Sequence, residues 1–119
     1  MKDAMDLPAA CQSSATAKMP MPPMMPMDNM TETQKAFQMA MMKMHPAMMQ
    51  GMMASDPDVA WACSMIPHHQ SAIDMSKEVL KNGDNPEMKK LAEKIISDQQ
   101  KEIAELKEWL GKSGKRAGK

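Results

Sequence analysis

Apolar and polar residues follow a helical period over most of the chain after residue 30, and no stretch alternates with the period of two that is typical of a strand. The clearest case lies towards the C-terminus, where apolar side chains recur at steps of three and four residues. They are Met88, Leu91, Ala92, Ile95, Ile103, Leu106 and Leu110. This pattern predicts an all-α protein.

Local signals mark the ends of the first two predicted helices. Helix one begins near Thr31, where the sequence Thr-Glu-Thr-Gln is typical of a capping box, and it runs to about Ala54. Helix two begins after Asp56 as its N-cap, with proline at its first position, and it ends at Asn82 before a glycine.

The third helix starts at Asn85, again followed by proline, and is predicted to end at Leu110-Gly111. Because short loops join long helices, we expect an antiparallel bundle of three long helices. Three such helices leave a groove that a fourth element would fill. The three candidates for this element are part of the N-terminal segment, a helix bent at Pro46, and a second subunit in a homodimer.

The two ends of the chain differ from its middle. Residues 1–30 contain a run in which proline and methionine alternate, which excludes both a helix interior and a central strand, so we expect a disordered tail there. Residues 111–119 form a short basic segment that we expect to be flexible. The predicted helical domain is therefore residues 31–110.

Composition narrows the class of protein. The chain of 119 residues has room for one domain, and its 15 basic and 15 acidic side chains exclude a strongly basic nucleic-acid-binding protein. No run of about 18 apolar residues occurs, so we expect no membrane insertion. The chain begins Met1-Lys2-Asp3 without an apolar stretch, so we expect no signal peptide within it.

Methionine is the unusual residue. Fourteen of the 19 methionines fall in residues 19–53, whereas residues 54–119 contain three. A need for core packing would spread them over all the helices. A methionine stripe on a single helix is ordinarily core, and a methionine-rich surface also suits an apolar partner helix.

The three histidines lie among these methionines. His45 has Met41, Met42, Met48 and Met49 three or four residues away, so they are its neighbours on a helix. His68 shares a stripe with Trp61, Met65 and Met75, whereas His69 lies about 100° round the helix on the stripe of Ile66 and Ile73. Because adjacent histidines diverge, more than one metal position is expected.

The donor set indicates which metal to expect. Thioether sulfur and imidazole are soft ligands that select Cu(I), and by the same reasoning Ag(I), over Zn²⁺, Mg²⁺ or Ca²⁺. The sequence contains no Glu-x-x-His pair of the di-iron proteins and no His-Glu-x-x-His motif of the zinc proteases. Nothing in it resembles an activated nucleophile, so we expect a protein that is not an enzyme.

The two cysteines allow two interpretations. A disulfide between Cys11 and Cys63 would pin the N-terminal segment to helix two and stabilise the fold by roughly 3–4 kcal/mol. Two free thiols that join a copper site are the less favoured alternative.

The run from Met65 to Met75, Met-Ile-Pro-His-His-Gln-Ser-Ala-Ile-Asp-Met, resembles the signature of a bacterial, largely periplasmic helical family catalogued as a domain of unknown function. Its copper-resistance members include the CopM-like proteins. His45 with its following methionines and the Gln99-x-x-Glu102-Ile103 segment are similar to the flanking elements of that family. The resemblance covers about residues 31–110.

The resemblance implies a ferritin-like helical bundle, export to the periplasm, and Cu(I) or Ag(I) held by methionine and histidine. By position, it implies a set of candidate ligands, and Met41 and Met44 of the methionine-rich run around His45 are also candidates. The implied ligands are His45, Met48 or Met49, Met52, Met65, His68, His69 and Met75.

The sequence therefore predicts a periplasmic Cu(I)-binding protein that serves copper sequestration, transfer to a partner protein, or resistance. The alternative is a helical module that binds a partner protein in a methionine-rich groove without metal.

Overall fold

The computed structural model of the chain describes residues 7–11, 26 and 28–117, with side chains to residue 112. Its elements are a short 3₁₀ helix, Ala9–Cys11, and three α-helices: α1 (Glu32–Met52), α2 (Pro57–Asn82) and α3 (Pro86–Ala117). Every regular element in these ranges is helical, which confirms the all-α prediction. None of the helices in the described ranges has the length and apolarity needed to cross a membrane.

The predicted helix starts are confirmed by their hydrogen bonds. At α1, the Gln34 amide donates to the Thr31 hydroxyl oxygen (3.1 Å) and the Thr31 amide donates to the Gln34 side chain (2.8 Å), which completes a capping box. Asp56 accepts from the amide three residues on at α2, and Asn85 does the same at α3, both at 3.0 Å. Local polar side chains thus satisfy amides that the first turn leaves unpaired.

The predicted end of α3 is wrong, because the helix continues through Leu110-Gly111 to Ala117. A glycine inside a helix costs only about 1 kcal/mol relative to alanine, and no proline follows it. Lysine is a good helix former, and its charge is favourable near a helix C-terminus. The backbone of residues 111–117 is therefore helical.

Helix α2 is central, and both α1 and α3 pack against it. The Thr33 hydroxyl at the start of α1 donates to Glu78 near the end of α2 (2.9 Å). At the other end, Gly51 lies so close to Cys63 that a Cβ on Gly51 would be 2.8 Å from the Cys63 carbonyl oxygen. The two helices are therefore antiparallel.

Helices α2 and α3 are also antiparallel. Ala62 of α2 lines one pocket with Leu106, and Ser76 of α2 lines another with Ala92. As the residue number rises along α2, the number of its neighbour on α3 falls. The described residues thus form a bundle of three helices.

The core is made of aliphatic side chains and a disulfide. Its buried members come mainly from α2 and α3, and they include Val59, Ala62, Ile66, Ile73, Ile103 and Leu110. Leu7 is buried with them, and Cys11 forms a disulfide with Cys63, as the favoured interpretation predicted. The free-thiol alternative is wrong. In the range 1–30, residues 7–11 are thus packed; residues 1–6, 12–25 and 27 lie outside the described residues.

Helix α1 meets α2 through small residues. Ala40 and Gly51 are buried, Ala47 packs against the core cluster, and Ala54 does so just beyond the end of α1. The three positions within α1 are spaced by seven and four residues, so they form one stripe. The methionines of α1 consequently lie beside this contact rather than within it.

A methionine- and histidine-lined groove

Two pockets open along α2, one towards each end of the helix. The first pocket, of about 260 Å³, takes residues from all three helices and includes Phe37, Met75 and Ile95. The second, of about 410 Å³, lies between α2 and α3 and includes Trp61 and Trp109. The groove comprises these two pockets and the surface between them.

His68 lies at the middle of the groove. It is seven residues after Trp61 of one pocket and seven before Met75 of the other, so the three share one face of α2. The side chain of His68 is exposed. Glu102 has the matching place on α3, seven residues from Ile95 and seven from Trp109.

The α1 wall of the groove is methionine-rich. Phe37 lines the first pocket, and Met41, Met44 and Met48 follow it by 4, 7 and 11 residues, on the same side of α1. Met52 continues this stripe. Met41 and Met52 are about half exposed, and Met44 and Met48 are partly buried.

His45 lies at the level of His68 along the bundle axis. Phe37 of α1 and Met75 of α2 line the same pocket. Because the two helices are antiparallel, the residues level with each other eight positions away from that pocket are His45 and Pro67. Counting six residues inward from the contact between Gly51 and Cys63 gives His45 and position 69. Both counts place the α1 histidine at the same level along the bundle axis as the His-His motif, and its side chain is partly buried.

The structure divides the predicted ligands by helix face. Met49 lies about 100° round α1 from Met48, on the stripe of Met42 and Met53 and away from the groove. Met65, three residues before His68, is partly buried at the α3 side of the groove stripe. The candidates that the groove brings together are Met41, Met44, His45, Met48, Met52, Met65, His68 and Met75.

The methionines do not form the core. None of the 12 methionines in the described part of the chain is buried. Six of the eight large apolar side chains that are exposed there lie along the groove: Met41, Met52, Trp61, Met88, Leu91 and Trp109. The interpretation of the α1 methionines as core is therefore wrong, and they need another explanation.

His69 points towards α3, as the predicted divergence of the two histidines requires. Its Nε2 is 2.6 Å from Oε1 of Glu102, and the two imidazole rings of the motif have centroids 6.1 Å apart. The His69 side chain is 15% exposed, and its Nδ1 atom is buried without a hydrogen-bond partner in the structure. The His68 side chain is thus exposed to solvent, whereas the His69 side chain is held by Glu102.

Among the described residues, histidine, cysteine and carboxylate side chains do not cluster as the methionines do. No three histidine, cysteine, aspartate or glutamate side chains come close enough to hold a metal ion in the part of the chain that the structure describes. Both cysteines are in the disulfide. Thioethers are therefore the donors that outnumber all others around the groove.

Glu78, a carboxylate outside the groove, has a shifted acidity. Hydrogen bonds from Asn82 and then Thr33 lower the pKa of Glu78 below its usual value. This group joins the start of α1 to the end of α2, at the opposite end of the α1–α2 pair from the disulfide.

The comparisons with known proteins give the family. The family model described as a domain of unknown function, DUF305, matches residues 3–110. The chain belongs to the DUF305 family. It is also 43% identical over 53 residues to an uncharacterized protein of Acanthamoeba polyphaga mimivirus, a match that covers 44% of this chain and 35% of that protein. The chain thus spans about a third of this curated relative.

In this DUF305 domain, sequence reasoning missed one part of the site. Trp109 stands beside Trp61 in the second pocket, and neither was expected to form a surface. The sequence does contain one signal for the exposure of Trp109: it is one residue before the buried Leu110, so it lies outside the buried stripe of α3. Glu102 was expected only as part of a segment similar to the family's flanking elements, because contacts between helices depend on a register that the sequence does not state.

Proposed function

We propose that this protein binds Cu(I), and Ag(I) by the same chemistry, as cargo in the groove between α1 and α3. The observation that carries the proposal is the position of the methionines. They are excluded from the core, and six of them on α1 and α2 share the groove with His45 and His68.

The chemistry of the donors supports this metal. Thioether and imidazole ligands prefer Cu(I) to harder divalent ions, and thioethers bind without first losing a proton. They also do not form disulfides, so they remain ligands in a compartment where Cys11 and Cys63 are oxidised. We place the protein in the periplasm on this argument and on the family resemblance.

The spacing of the donors supports more than one ion. His45, His68, Met44 and Met65 lie within about one helical turn of the same level. Met75 is seven residues from His68, or about 10 Å along α2, which is too far for the same ion. A groove with donors over this length suits sequestration, or transfer to a partner protein, and copper resistance would follow from either.

The second candidate function is binding of an amphipathic helix without metal. It is favoured by the apolar ends of the groove, where Leu91, Trp61 and Trp109 are exposed. Such a helix, from a partner protein or a second subunit, would complete a ferritin-like bundle of four. The two proposals differ in the role of the groove centre, where the histidines lie.

An anaerobic Cu(I) titration against a chromogenic chelator tests the proposal. We expect the wild-type chain to compete for Cu(I), and a His45→Ala/His68→Ala variant to bind at least about tenfold more weakly, a loss of about 1.4 kcal/mol or more. No competition by the wild type would remove the copper proposal and leave the helix-binding groove. A matched Trp61→Ala/Trp109→Ala variant should keep its Cu(I) affinity and lose apolar surface.

A further inference from the structure

His69 is held in one orientation by an atom on another helix. Its Nε2 lies 2.6 Å from Glu102 Oε1. An ionised carboxylate can only accept a hydrogen bond, so the imidazole must donate Nε2–H. In the neutral ring, the lone pair is then on Nδ1.

The Nδ1 atom of His69 accepts no hydrogen bond. It is buried, and no hydrogen-bond partner is present. A buried acceptor without a partner is costly and rare, and each case calls for an explanation. A soft cation at Nδ1 would satisfy this lone pair.

The surroundings of His69 fit such a role. Histidine ligands commonly donate their second ring N–H to a carboxylate, which fixes the tautomer and directs the other nitrogen at the metal. Met65 precedes His69 by four residues, so its thioether is one turn away on the same side of α2 and is partly buried.

We propose that Glu102 is a positioning residue that holds His69 as the Nε2–H tautomer, and that His69 binds the metal ion through Nδ1 together with Met65. This rests on the proposed Cu(I) function and assigns a position beside that of His68 and His45. Glu102 itself does not contact the ion, because the imidazole ring of His69 lies between the carboxylate and the ion.

A purely structural contact between α2 and α3 predicts something different. Glutamine at position 102 still reaches Nε2, either by accepting from Nε2–H or by donating to a bare Nε2. Packing would then persist, while the preference for one tautomer would be lost. The tautomer therefore separates positioning from packing.

Glu102→Gln is the test variant, and Glu105→Gln, an exposed glutamate one turn away on α3, is its matched control. Long-range ¹H–¹⁵N NMR of the metal-free chain at one fixed pH reports the tautomer. We expect His69 to be the Nε2–H form in the wild type and in the control, and a mixture in Glu102→Gln. Equal melting temperatures would show that all three fold alike.

Titration with Ag(I), a diamagnetic probe, then reports the ligand atom. We expect the ¹⁵N resonance of His69 Nδ1 to shift in the wild type, and the affinity of this position to fall by about 10–100-fold in Glu102→Gln but not in the control. A shift at Nε2, or equal affinity in all three chains, would overturn the proposal.

The two measurements also separate this proposal from the one on which it rests. If the wild type binds no Ag(I), the metal function fails, whatever the tautomer. If Ag(I) binds and the metal-free Glu102→Gln chain keeps a pure Nε2–H tautomer, the metal function stands and the role of Glu102 is refuted.

Discussion

Gly51 and Gly111 should respond in opposite ways to the same substitution. Both lie within or at the end of a helix, where alanine is favoured over glycine by about 1 kcal/mol. At Gly111, nothing lies within 4 Å of the position that a Cβ would take, so this gain is unopposed. At Gly51, a Cβ would lie 2.8 Å from the carbonyl carbon and oxygen of Cys63.

The cost at Gly51 comes from atoms that have little freedom to move. The nearest ones are main-chain atoms of α2, and Cys63 is also tied to Cys11 by the disulfide. Overpacking of a core contact costs typically about 1–3 kcal/mol, so after the helix gain we expect Gly51→Ala to destabilise the fold by up to about 2 kcal/mol. For a domain of this size, 1 kcal/mol is worth about 4–8 °C in melting temperature.

Thermal unfolding followed by circular dichroism under oxidising conditions measures both variants. We expect the melting temperature to fall for Gly51→Ala and to rise by up to a few degrees for Gly111→Ala. If Gly51→Ala is as stable as Gly111→Ala, then α1 and α2 do not approach as closely as described, and the small-residue contact between them is refuted.

Three other outcomes follow from the same structure. Loss of the disulfide in a Cys11→Ser/Cys63→Ser variant should lower the free energy of unfolding by about 4 kcal/mol in the loop-entropy model, measured by urea titration; an unchanged midpoint would contradict the packing of residues 7–11. Because hydrogen bonds from Asn82 and Thr33 lower the pKa of Glu78, its stabilising effect is present above its usual pKa of 4.5 and is lost as the pH falls through the lower folded-state pKa. Below about pH 4.5, the melting temperature of the wild type should therefore fall more steeply than that of Glu78→Gln, and parallel curves would show that this carboxylate does not hold the helix ends together. Cu(I) at 100 times its dissociation constant should raise the stability of the chain by about 2.7 kcal/mol per site, whereas Mg²⁺ at the same concentration should leave the melting temperature unchanged.

The sequence was informative wherever the determining contact is local. Thr31, Asp56 and Asn85 each accept a hydrogen bond from an amide three residues away, so the helix starts are readable without any tertiary structure. The end of α3 was not readable, because Gly111 ends a helix only when other contacts favour a turn. Its surroundings are open, and the helix simply continues.

The candidate site was predictable in its residue types and less so in its arrangement. The spacing of Trp61, His68 and Met75 already placed them on one face of α2. Whether that face is core or groove depends on which stripe of α1 packs against α2. That contact is made by alanines and glycine, so the methionines lie beside it.

The central claim is that the methionines facing the groove bind Cu(I), and it is tested most directly by comparing two faces of α1. Met44→Leu/Met48→Leu removes two groove sulfurs, and Met42→Leu/Met49→Leu removes two from the other face. Leucine keeps nearly the same volume, so both variants should fold. In an anaerobic Cu(I) competition titration, we predict weaker binding by the first variant and wild-type affinity for the second. Equal affinity in both variants and the wild type would contradict this claim.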